Sequence, residues 1–213
     1  MRKALIVSIL GLLIPAGACA PAGSGSPTAP AIVVVTDNAH LDVLSVGLQS
    51  GNFSLGVDHA DSAQLLDPSN TVIHVRPSSQ GIIGSNPLFS FLGPAGSPVW
   101  QLDGGWSIHD VLPGQLVNDS VQLRLISFSG PGNMAVWKFN SFSQPSADLA
   151  TSATLPQVLN VSYDAHAHRT WSFTATGTYT AQFDATATLQ LTGQPVSSGP
   201  KSFTFVVGPY PPT

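Results

Sequence analysis

The sequence predicts an all-β protein: an antiparallel β-sandwich, immunoglobulin-like or jelly-roll-like, behind an N-terminal export signal. Three observations predict it. Apolar and polar residues alternate with a period of two along most of the chain. No window keeps an apolar stripe of helical period for three turns. Finally, 18 prolines and 20 glycines punctuate the alternating runs and suppress helix. About ten short strands with turn residues between them suit two packed sheets.

Met1-Arg2-Lys3 is a positive start, and the apolar run Ala4 to Ile14 has the length of a signal h-region, too short to span a bilayer. The sole cysteine, Cys19, follows Ala16, Gly17 and Ala18. Small residues before a cysteine fit a lipoprotein-type signal over 1–18, with Cys19 as the lipid attachment residue and Ala16 standing where leucine is usual. Ordinary cleavage after Ala18 or Ala20 is the competing reading. A lone cysteine has no intramolecular partner, so no disulfide staples the domain. Residues 19–30, rich in Pro, Gly, Ala and Ser, read as a tether. The folded domain is expected over 31–208, with 209–213 as a tail.

Strand-like runs follow in order: 31–36, 41–49, 52–57, 71–77, 97–102, 121–130 and 133–140, each bounded by Gly, Pro, Asn or Asp. Trp171 and Phe173 then alternate with Thr170, Ser172 and Thr174 ahead of a Thr176-Gly177 turn. After it, Tyr179, Ala181, Phe183, Ala185, Ala187, Leu189 and Leu191 occupy one face of a long strand. Such length predicts a bend. The two runs read as a β-hairpin, and Phe203, Phe205 and Val207 add a third strand to a meander.

Composition excludes several function classes. Charged residues are 8% of the chain and glutamate is absent, so the 11 acidic groups are all aspartates. Without Arg2 and Lys3, five basic groups face 11 acidic ones, a net charge of −6 with His neutral. That balance leaves no basic patch for phosphates, so no nucleic-acid partner is expected. Gly-x-Ser-x-Gly, His-Glu-x-x-His and a phosphate-binding glycine loop are all missing. The chain is expected not to be an enzyme.

The stretch "DAHAHRTWSFTATGTYTAQFDATATL" resembles the short actinobacterial surface-anchored repeat, with its His-x-His, Trp-x-Phe, Gly-x-Tyr turn and alternating strand. "AHLDVLSVGLQSGNFSLGV", "LDPSNTVIHV", "FSFLGPAGSPVWQL" and "LVNDSVQLRLISFSGPGNMAVW" follow the layout of the choice-of-anchor M domain. This resemblance extends over 38–208. It implies a surface-anchored protein, extracellular and held at the cell membrane, in the company of a metal-type ABC transporter. It brings no catalytic activity with it.

Candidate ligands follow from spacing. Residues i and i+2 of a strand share a face, so His166 and His168 can present two imidazoles to one ion. His40 and Asp42 have the same spacing. If the two segments are neighbours, the four side chains make a His₃Asp set of the kind that suits zinc. The competing reading makes the histidines polar rim residues of a strand. Asp58, His59, Asp61 and Asp67 read as a polar turn, because the ligand repeat of a calcium loop is absent. His74 and His109 read as structural or solvent-facing.

Four tryptophans offer another function: an adhesion module contacting wall polymer. Trp137 and Trp171 alternate with polar neighbours and are expected in the core. Trp106, beside Gly104-Gly105, is expected to be exposed and to contact a ligand.

Overall fold

The structure is a computed structural model that describes residues 31–60, 62 and 64–211. The expected signal over 1–18, the tether over 19–30 with Cys19, and Asp61 lie outside the described residues. The first strands are β1 (Val33–Val35), β2 (Leu41–Gln49), β3 (Asn52–His59), β4 (Thr71–Val75), β5 (Gln80–Ile82), β6 (Pro98–His109) and β7 (Ser120–Ser129). They are followed by β8 (Met134–Phe139), β9 (Pro145–Ala150), β10 (Gln157–Ser162), β11 (His166–Phe173), β12 (Gly177–Thr188), β13 (Pro195–Ser197) and β14 (Lys201–Val207). Short 3₁₀ turns are the only helical pieces among the described residues.

Two seven-stranded sheets pack face to face, as the alternation predicts. Sheet one runs β1-β4-β14-β12-β7-β10, with β13 on β12; sheet two runs β3-β2-β6-β11-β8-β9, with β5 on β6. Trp171 of sheet two lies on Phe205 of sheet one at 5.6 Å between ring centroids, with Phe173, Tyr179, Phe183 and Phe203 around them. These rings are all buried, and each removes more apolar area from water than an aliphatic side chain does.

The expected antiparallel arrangement is corrected, because the sheets are mixed. β1 pairs with β4, β4 with β14, and β2 with β6, all in parallel. The β2–β3 hairpin turns at Ser50 and Gly51, both at positive φ, as a two-residue turn between right-twisted strands requires. The chain then supplies β4 to sheet one before returning as β5 and β6. That long excursion is the crossover a parallel neighbour needs.

A second correction concerns Thr176-Gly177. β11 belongs to sheet two and β12 to sheet one, so the two do not form a hairpin. Phe173 and Tyr179 meet across the space between the sheets, 5.1 Å apart. Alternation marks the buried face of each strand and is silent on whether consecutive strands pair or face one another. β14 does pair with β12, as expected. The expected bend is a bulge: Phe183 pairs with Leu125 and Gln182 with Ser127, which leaves Ile126 of β7 unpaired. β12 stops at Thr188, and Leu191, expected on the buried face, is 96% exposed.

Among the described residues, the outer face of sheet two is covered at one end only. There Ile83, Leu92, Val99, Ala135, Trp137 and Ala150 form a second apolar cluster under Phe89 and Phe91. The other end, over β2, β6 and the start of β11, carries polar side chains.

Candidate metal centre

β6 lies between β2 and β11 and sets their register. Asp42 of β2 pairs with Gly105, and on the opposite edge His168 of β11 pairs with the same Gly105. Paired residues point to one side, so Asp42 and His168 share the outer face of sheet two. β2 would leave that face after Asp42, but a bulge at Val43 changes its phase: Asp42 pairs with Gly105 and Leu44 with Trp106. Leu41, Val43, Leu44 and Val46 therefore all point inward, while Asp42 and Ser45 stay outside. His40 and His166 follow on the same side by the period of two.

Gly105 makes the crossing possible. A Cβ there would run into the Ala167 carbonyl oxygen and stand 2.9 Å from Asp42 Oδ1. Without one, side chains from β2 and β11 meet above the intervening strand. The meeting is close: His40 Nε2 is 3.2 Å from Asp42 Oδ2 and 3.2 Å from His166 Nε2, and His166 Nε2 is 3.5 Å from Asp42 Oδ2. In a tetrahedral zinc site with bonds of about 2.0–2.1 Å, two ligand atoms stand about 3.3–3.4 Å apart. The three atoms thus span a triangle with the edges of one face of such a site.

His168 stands beside this triangle, grouped with His40 and His166. Its ring centroid lies 5.0 Å from that of His40 and 5.8 Å from that of His166. One nitrogen from each of His40, His166 and His168 falls within 4.8 Å of the others. Asp103 Oδ1 stands 3.6 Å from His168 Nδ1, within ion-pair distance but beyond hydrogen-bond reach.

Electrostatics favour a cation here. Asp42 is 1% exposed, and its Oδ1 has no hydrogen-bond partner among the described residues. A buried carboxylate oxygen without a donor is costly. Its ion-pair partners are His40 and His166. The facing Nε2 atoms of those two rings can share one proton between them, whereas a cation satisfies both lone pairs and the carboxylate together.

The structure thus brings His40, Asp42 and His166 together from segments more than 120 residues apart and sets His168 beside the two histidines. It treats Trp106 differently. That side chain is 3% exposed and points inward with the core, and the Arg169 guanidinium lies 4.3 Å from its ring centroid. The expected exposure is corrected: Trp106 lies on the inner face of β6, where Gly104, two residues earlier, leaves room for Val43 and Trp171, and Arg169 over its ring pairs with Asp148. Trp137 and Trp171 are buried as expected.

The remaining polar candidates separate cleanly. Asp67 accepts hydrogen bonds from the Ser69 backbone N–H and hydroxyl, which hold its carboxyl below the usual range and form the expected turn. His74 Nε2 stands 2.8 Å from the Gly208 carbonyl oxygen, and buried His59 stands 3.1 Å from that of Thr36; both tie segments together. His109 is partly exposed but sits 3.8 Å from Asp58, in a second grouping with Asp42. Sequence reasoning passed over Asp103, Gly105 and this pairing. The double glycine within "LDGGWS" was the available signal, since glycine inside a strand marks a close approach to backbone or ligand.

Comparison of the chain with protein-family models, curated proteins and solved structures gave no match.

Proposed function

We propose that this chain is a non-catalytic cell-surface domain that binds zinc or a related transition metal through His40, Asp42, His166 and His168. The observation that carries the reading is the triangle of two imidazole nitrogens and one buried carboxylate oxygen with edges of 3.2, 3.2 and 3.5 Å. Three nitrogens and one oxygen form a borderline-soft set suited to zinc. The choice-of-anchor M resemblance, the lipoprotein-type signal and Cys19 extend the reading to a lipid-anchored extracellular protein that assists a metal-uptake ABC transporter. The alternative, an adhesion module contacting wall polymer, relied on Trp106 as an exposed platform and loses that support.

Calorimetric titration of metal-free residues 31–213 with zinc tests the reading, beside a His166→Ala/His168→Ala variant. All fourteen strands of the described residues lie within that fragment. Saturable binding at the His₃Asp set that disappears in the variant supports it. No heat of binding at micromolar zinc would remove the metal role and return the histidines to rim residues.

A further inference from the structure

Asp42 belongs to two groups of ligands. On one side its Oδ2 faces His40 and His166; on the other, Asp58 and His109 each offer an atom within 4.8 Å of an Asp42 oxygen and of one another. Asp58 pairs directly with Asp42 across the β2–β3 ladder, and His109 ends β6 with its Nε2 3.8 Å from Asp58 Oδ2. Together with Ser45, Gly47, Ser54 and Asp110, these two line an open groove on the outer face of sheet two. Gly47 pairs with both Ser54 and His109, so no side chain from β2 fills the groove between them. No lysine or arginine lines it among the described residues.

The buried carboxylate supplies the independent observation. Asp42 Oδ2 already faces both His40 Nε2 and His166 Nε2, while Oδ1 is buried without a partner among the described residues. A carboxylate with one oxygen facing two imidazoles and the other without a partner among the described residues is suited to bridging. We infer that Asp42 bridges two cations: one held with His40, His166 and His168, the second held with Asp58 and His109. The inference rests on the metal reading of the first site and adds a second, separately removable position.

The second site differs in kind. Two carboxylates and one imidazole make it harder and richer in oxygen, so it accepts manganese as well as zinc. With three protein ligands, it keeps a coordination position open to water or an incoming group. Asp58 and His109 are both partly exposed, so their side chains can close on an ion without moving the sheet. The second ion is therefore the exchangeable one, bound after the first and released before it.

Equilibrium titration of residues 31–213 with zinc, followed by metal analysis of protein separated from free zinc by rapid filtration, tests this. The wild-type domain is expected to bind two equivalents in two steps, and Asp58→Ala/His109→Ala one equivalent in the tighter step. Asp58→Asn/His109→Gln keeps the side-chain volume and is expected to behave alike, which separates ligand loss from misfolding. Circular dichroism checks that both variants fold. One equivalent in the wild type, unchanged in both variants, overturns the second site and leaves the first intact. Two equivalents retained by both variants also overturn it. No binding to the wild type overturns both readings.

Discussion

Gly105 shows how one absent side chain can shape a site. Its hydrogen lets Asp42 and the histidines meet above β6, and an added methyl group collides with backbone at Ala167 and crowds Asp42 Oδ1. Gly105→Ala is expected to destabilise the domain by about 1–3 kcal/mol and to weaken zinc binding; denaturant unfolding and zinc titration of the variant check both. Trp106, on the same strand, makes the opposite case. As a buried core ring it is expected to cost about 3–5 kcal/mol on truncation to alanine, an effect read from the midpoint of urea unfolding. Unchanged stability in Trp106→Ala would contradict the core placement. The histidines and Asp42 were legible from spacing alone, because a period of two places i and i+2 on one face. Trp106 was misread because a tryptophan flanked by glycines looks unpacked until the strand opposite is known.

Elements carry the next layer of the account. Most strand segments were legible as alternating runs, while β5, β9, β10 and β13 were passed over because each is short or carries mixed polarity. Pairing was less legible. The β11–β12 connection crosses between sheets, and Tyr179 near the start of β12 secures it: its hydroxyl donates to the Ala175 carbonyl at 2.8 Å and accepts from the Ala175 N–H at 3.1 Å. This is the tyrosine-corner arrangement found at sandwich crossings. Burial pushes the Tyr179 phenol above its ordinary value, against the hydrogen bond that lowers it. A raised folded value favours the protonated form, so this contribution is fully present below the unfolded phenol value of about 10. It is lost as pH rises from there through the folded value. Tyr179→Phe is expected to cost about 1–3 kcal/mol at neutral pH and to flatten the alkaline fall in stability. A fall of equal slope in the variant would contradict this role.

Across the whole molecule, the sandwich divides its labour between faces. The space between the sheets is apolar and aromatic, one end of sheet two is sealed by Phe89 and Phe91, and the other end is left polar over β2, β6 and β11. A sandwich follows from composition and alternation, but its mixed sheets do not, since strand direction depends on the route between strands and not on their residues. A metal joining β2 to β11 spans β6 and ties segments distant in the chain. Zinc at a hundred times its Kd is therefore expected to add about 2.7 kcal/mol to stability, seen as a rise in Tm that is absent in His166→Ala/His168→Ala. The most direct test of the metal centre is anomalous diffraction at the zinc absorption edge from crystals of residues 31–213 grown with zinc. An anomalous peak bonded to His40 Nε2, His166 Nε2 and Asp42 Oδ2 is the predicted result. Zinc-soaked crystals with no peak there, and with the two imidazoles still in direct contact, would contradict it.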